Sequence, residues 1–347
     1  MIRKQFKIIV FMALFGNLVS CDNDTSKGIL FPQQIHLEGT ELSVGGLFLK
    51  YPYRIRVNDQ SMYVMDLHPS TFYCHEIAYP SMENKAKFAQ RGQAPNEFLD
   101  AENIRFDKQK NLYILDANRK RISVFEPLQL KIPQKVIDLE TSLIRTLDFD
   151  ILNDSTFIVP DYMGSNRISL LDFQGKIKKK LFTIPTTVKE DGNMALAQAW
   201  RSFLSYNSKN GILALATQLG QVLEVYDIHH ERLIKVIKEK EPEFFSNGDY
   251  AIPTGIMGYS DIYVGEKYIY AVFWGESFDD IKQQADIPQG GKYIHVFDLG
   301  GTPVKEYVLD RRITGFHVDE KNGKFLGLDV NSNNPIVEYN YLKEPII

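Results

Sequence analysis

The sequence predicts an all-β fold, a propeller of six blades. Three observations carry that reading: an aromatic-rich composition with little helical signal, a block pattern that recurs along the chain, and a final block one strand short. The 347 residues include 18 Tyr and 22 Phe, side chains that pack well on a pleated surface. Hydrophobic residues make up 44% and charged residues 24%, which provides a core and lacks the charge bias of a disordered chain.

Each block reads as a β run ending in a polar turn, a second run, a turn containing Gly or Asp, and a third run. The second block is the clearest, with predicted strands at 103–107, 111–116 and 121–125. The first offers 53–57, 62–66 and 72–77, and the third 147–150, 156–161 and 167–172. The fourth holds 204–206, 212–216, 222–227 and 233–237, and the fifth 262–264, 268–273, 293–298 and 304–309. The sixth has only 315–319, 325–329 and 336–339 before the sequence ends. Repeats of ~40–50 residues are the size of a four-stranded blade. The spare run 34–38 is therefore expected as the outer strand of the last blade, closing the ring and removing an exposed edge. Helical periodicity is confined to 193–200 and 278–285, both within insertions.

The N-terminus reads as an export signal outside the fold. Arg3, Lys4 and Lys7 precede a short apolar run at 8–15, below the ~20 residues a membrane-spanning helix needs. Leu18-Val19-Ser20-Cys21 then resembles a bacterial lipobox, with Cys21 as the lipidated residue. These features predict a signal peptide at 1–20, a lipidated tether at 21–32 and one propeller domain at 33–347. The predicted location is the outer membrane, facing the periplasm or the cell surface, with the membrane engaged through the N-terminal lipid. Cleavage removes three positive charges and no negative one, moving the formal net charge from −4 to −7, so nucleic acid is not an expected partner. With Cys21 acylated, Cys74 has no thiol to pair with, and its apolar neighbours predict a buried, inert role.

Arg91-Gly92-Gln93-Ala94-Pro95-Asn96-Glu97-Phe98 resembles the G-x-G-P-x-E-F signature of six-bladed propeller lipoproteins, related in pattern to NHL-repeat and TolB-like propellers. Gln93-Ala94 replaces the usual Gln-Gly. Leu112 to Asp116 and Arg121 to Phe125 also resemble an NHL-type repeat. The resemblance covers essentially the whole mature chain, is strongest over 91–126, and implies fold and export rather than a particular biochemistry.

No nucleophile elbow, P-loop or dinucleotide fingerprint occurs, and no histidine pair has metal-ligand spacing on a helix. No catalytic residue, metal or cofactor is therefore assigned. Asp66, Asp116, Asp161 and Asp329 each follow the second strand of a blade. They read either as a ring of carboxylates for a cation or as caps of the following turns, and their recurrence favours caps. The long connections 80–101, 186–201, 241–260 and 274–292 are expected to share one face, where binding groups concentrate. They supply the candidate ligand-binding residues Trp200, Trp274, Arg91, Arg201, Tyr250 and Glu276, set against a role in pinning loops to the rim. The expected function is non-enzymatic binding or scaffolding toward a glycan, a peptide or an envelope protein. The alternative is a metal-dependent propeller enzyme of lactonase or lyase type.

Overall fold

A computed structural model describes residues 29–187, 194–283 and 287–342. The export signal, Cys21 and most of the tether lie outside the described residues. Six sheets form the blades, each ordered from the axis outward with strands that follow one another in the chain antiparallel. Blade 1 is Pro52–Asn58, Ser61–Asp66, Phe72–Ala78 and Asn84–Gln90. Blade 2 is Ala101–Phe106, Leu112–Asp116, Arg121–Phe125 and Lys135–Asp138. Blade 3 is Asp150–Asn153, Thr156–Pro160, Asn166–Asp172 and Ile177–Thr183. Blade 4 is Ser202–Asn207, Ile212–Thr217, Gln221–Asp227 and Arg232–Lys240. Blade 5 is Tyr259–Val264, Tyr268–Phe273, Gly291–Asp298 and Pro303–Ile313. Blade 6 is Phe316–Asp319, Lys324–Leu328 and Ile336–Asn340. Helices α1 (Met194–Ala199) and α2 (Phe278–Gln283) sit in the connections predicted to hold them.

Alternation explains why the second strands read as unbroken apolar runs. Leu112–Asp116 is buried at every position, because successive side chains point to opposite faces and each face meets a neighbouring blade. Leu112 and Ile114 pack with Tyr63 and Met65 of blade 1. Tyr113 and Leu115 pack with Phe157 and Val159 of blade 3. The same apolar seam recurs around the ring, and Leu326, Leu328 and Ile336 of blade 6 meet Ile55, Met62 and Val64 of blade 1.

Two arginines bridge the innermost strands of neighbouring blades. Arg56 of blade 1 makes a bidentate pair with Asp261 of blade 5, both bonds 2.9 Å, and donates to the Phe316 carbonyl of blade 6 at 3.0 Å. Arg105 of blade 2 donates to Asp148 at the entry to blade 3 (3.0 Å) and to the Leu204 carbonyl of blade 4 (2.7 Å). Each guanidinium ties three consecutive blades, Arg56 blades 5, 6 and 1 and Arg105 blades 2, 3 and 4.

The structure corrects three predicted elements. Gln34–Leu37 does not lie on blade 6; it pairs parallel with the outer strand of blade 5, Gln34 opposite Glu306 and Leu37 opposite Leu309. Ile35 and Leu37 are buried there with Tyr307 and Leu309, on the edge that the 11-residue outer strand presents. The outer position of blade 6 is held by Thr40–Glu41, paired with Glu338 and Val337. Gly39 permits this crossing, since a Cβ there would meet Val337 Cγ1 at 2.3 Å. Second, the innermost strand of blade 3 is 150–153 rather than 147–150. The register of blade 3 sets residue 148 opposite Pro160, which has no N–H to donate, and Asp148 bonds neighbouring blades instead. Third, the 80–101 connection contains the outer strand Asn84–Gln90, so only 91–100 joins the blades.

The residues of the 91–98 motif build a turn. The Glu97 carboxylate accepts from Ala94 N (2.9 Å) and Gln90 Nε2 (2.9 Å), directly over Gly92, where a Cβ would lie 1.9 Å from Glu97 Oε2. Phe98 is fully buried and stacks on Phe125 with ring centroids 6.2 Å apart.

Candidate functional site

The connections between blades and the turns between second and third strands meet where the innermost strands begin. There they enclose a cavity of about 270 Å³ at the channel mouth. Every blade or its entry loop contributes to it. Blade 1 gives Tyr51, Tyr53 and Arg54, blade 2 Glu102, and the entry to blade 3 Arg145 and Leu147. Blade 4 gives Arg201, Phe203 and Gln218, blade 5 Met257, Ser260 and Trp274, and blade 6 Thr314. The walls are aromatic, with charged and amide groups set between the rings.

The arginines differ in how they are held. Arg145 is spoken for: it bonds Asp100 at 2.6 Å and Glu102 at 2.7 Å. Arg54 is 3% exposed and lies 4.6 Å over the Phe203 ring, with one hydrogen bond to the Tyr53 carbonyl at 2.9 Å. Arg201 makes no side-chain hydrogen bond or ion pair among the described residues, and its Nε is buried without a partner. Burial lowers its proton affinity, against the opposing pull of the Tyr162 hydroxyl. Arg54 Nε, Gln218 Oε1, Ser260 Oγ and Trp274 Nε1 are likewise buried and unpartnered among the described residues. Buried polar groups are almost always paired in native proteins, so five orphaned atoms around one cavity call for a partner from outside the chain.

Glu102 is the titratable acid of this site. Burial first, and Asp100 second, push its carboxyl up to about 8, against the lowering effect of Arg145. A carboxyl with a raised pKa keeps its proton in the fold after the unfolded chain, at about 4.3, has released it. Stability is therefore lost as pH rises from about 4.3 to about 8. Glu102→Gln is expected to remove that slope, so that the variant gains on the wild type between pH 5 and pH 8. Urea midpoints at the two pH values check this, and an equal gap at both would refute it.

Of the residues singled out from sequence, the structure brings Trp274 and Arg201 to the cavity. Trp200 does not line the cavity. It is 1% exposed and packed beside α1 among Leu196, Ala199 and Val222, because the loop that bears it folds inward over blade 4. Arg91 lies away from the cavity and donates to the Pro69 carbonyl at 3.1 Å. Tyr250 is 68% exposed on the strand Tyr250–Pro253, which pairs with Phe244–Asn247. Glu276 is ion-paired with Arg312 at 2.5 Å, its Oε2 unpartnered among the described residues. The four recurrent aspartates act as caps. Asp66 accepts from His68 N (3.1 Å), Asp116 from Arg119 N (3.1 Å), Asp161 from Met163 N (2.9 Å) and Asp329 from Asn331 N (2.9 Å), while Asp66 also accepts from Lys50 N and Tyr51 N and Asp116 from Leu99 N of the preceding connections. Among the described residues no group of three His, Cys, Asp or Glu is placed to hold a metal ion. Cys74 is fully buried, and burial raises its thiol far above the usual range.

Sequence reasoning missed Arg54, Glu102 and Arg145. The available signal was a charge at the start of an innermost strand, as in Tyr53-Arg54-Ile55 and Ala101-Glu102-Asn103, where an interior strand otherwise has little use for one.

The fold and its cavity define a six-bladed propeller with a pocket at one mouth. The chain belongs to the family described as TolB-like 6-blade propeller-like, whose model matches residues 31–321. No curated protein matches it. Among solved structures, a member of the DUF4221 family from Bacteroides vulgatus superposes with a TM-score of 0.54 at 10% identity, covering 89% of this chain and 98% of that one. A putative exported protein from Bacteroides fragilis gives 0.52 at 9% identity, covering 88% and 97%. Virginiamycin B lyase from Staphylococcus aureus gives 0.50 at 14% identity, covering 88% of each. At these identities the likeness is one of fold. No helix among the described residues is long and apolar enough to cross a membrane.

Proposed function

We propose that this protein is an exported, lipid-anchored and non-enzymatic binding protein that takes a glycan, peptide or partner protein at the mouth of its propeller. The observation that supports the binding reading is the set of five unpartnered buried polar atoms around one aromatic-walled cavity. The address rests on Leu18-Val19-Ser20-Cys21 behind a basic and then apolar leader: cleavage after residue 20, lipid on Cys21, and a tether to residue 32 that holds the propeller at the outer membrane. The protein of similar fold from Bacteroides fragilis that is described as a putative exported protein is consistent with that address.

Cys21→Ala is expected to leave the chain unacylated and move it from the membrane to the soluble fraction. A variant that still sediments with membranes, beside a wild type without lipid mass, would overturn the anchor. One observation favours an enzyme as the second reading: Glu102, protonated up to about 8 in a ligand-sized cavity, has the property of a general acid. Turnover of a bound ligand that is lost in Glu102→Gln would select it over pure binding.

A further inference from the structure

We propose that the ligand of the channel-mouth cavity is an acidic sugar unit, a pyranose ring bearing a carboxylate. This deepens the binding reading above and rests on it. Three arginines reach the cavity, and Arg145 alone is satisfied by acidic partners, Asp100 and Glu102. Arg54 and Arg201 have no acidic partner within ion-pair distance among the described residues, and each keeps an orphaned Nε. A guanidinium presents a planar fork of N–H groups that matches a carboxylate, and charge-assisted bonds of this kind are the strong ones. With Glu102 and Asp100 both engaged by Arg145, the charge left unpaired around the cavity among the described residues is cationic, that of Arg54 and Arg201.

The rest of the lining suits a sugar ring. Trp274, Tyr51 and Phe203 supply apolar faces, against which the C–H face of a pyranose packs. Gln218 Oε1 and Ser260 Oγ offer unpaired positions, and Trp274 Nε1 an unpaired donor, for ring hydroxyls. The size also selects. At about 270 Å³ the cavity falls just below the ~300–1,000 Å³ of pockets for drug-sized ligands, so one ring enters and a longer glycan presents its end.

Titration calorimetry of the purified full-length protein tests this, using D-galacturonate and D-glucuronate, each beside its neutral parent sugar. At least one uronate is expected to bind about tenfold or more tightly than its parent. Arg201→Gln is expected to weaken that binding by about tenfold or more, the scale of a charged hydrogen bond, with melting temperature unchanged. Arg54→Gln is the second variant and should weaken it likewise. The assignment is overturned if neither uronate outbinds its parent, if Arg201→Gln leaves uronate affinity unaltered, or if the carboxylate of a tripeptide binds more tightly than both uronates. In any of these cases, loss of partner capture in Trp274→Ala would still uphold the cavity as the binding site, so the two failures are separable.

Discussion

Arg167→Met is expected to lower the stability of the propeller by roughly 3–5 kcal/mol, the cost of leaving a buried charge without its partner. Arg167 and Glu224 have fully buried side chains, and their closest contact is 2.7 Å. The guanidinium comes from the third strand of blade 3 and the carboxylate from the third strand of blade 4. Arg167 also donates to the Trp200 carbonyl at 3.0 Å and to Ser202 Oγ at 2.7 Å, while the Tyr226 hydroxyl donates to Glu224. Methionine fills much of the volume and removes the charge, so Glu224 keeps the Tyr226 bond and loses every bond from Arg167. Single domains are stable by only ~5–15 kcal/mol, which makes this a large fraction of the total. Removing both charges in Arg167→Met/Glu224→Leu should recover much of the loss, because neither group is then buried unpaired. Chemical denaturation of the two variants checks the pair; a single variant as stable as the wild type would show that the ion pair does not hold blades 3 and 4 together.

Trp200→Ala and Trp274→Ala are expected to separate cleanly. Trp200 is 1% exposed and packs with Leu196, Ala199 and Val222, with Arg167 5.7 Å from its ring. Its truncation opens a cavity in that cluster and should cost roughly 3–5 kcal/mol, with partner capture intact at temperatures where the variant stays folded. Trp274 is half-buried on the cavity wall, with an unpartnered indole N–H among the described residues. Its truncation should leave stability much closer to wild type and weaken binding by roughly 2 kcal/mol or more, the scale of an anchoring aromatic. Melting curves and capture assays on both variants decide it. Capture that survives Trp274→Ala would move the binding surface away from the channel mouth.

The sequence by itself determined the architecture and its repeat. Second strands such as Leu112–Asp116 and Ile212–Thr217 are buried on both faces, and that requirement is written locally as runs of apolar residues between polar turns. The caps were legible for the same reason, since Asp116 or Asp329 bonds backbone groups close to its own turn. Outer strands were less legible. Asn84–Gln90 faces solvent over most of its length, so its residues are under little constraint, and Thr40–Glu41 is too short to show any period. The partner of Gln34–Leu37 was set by the edge that blade 5 presents 272 residues away, which no local pattern encodes.

The site belongs to the part that only the tertiary structure decided. Tyr53, Glu102, Arg145, Arg201, Gln218, Trp274 and Thr314 come from six different blades or their entry loops, and their convergence follows from ring closure rather than from spacing along the chain. The two tryptophans make the point most directly. Both stand in long connections, and nothing in the neighbouring residues tells that one folds inward beside Arg167 while the other stays at the cavity wall. That difference is set by the buried Glu224 and Ser202, which fix Arg167 and with it the Trp200 carbonyl, a constraint that exists only once blades 3 and 4 have packed.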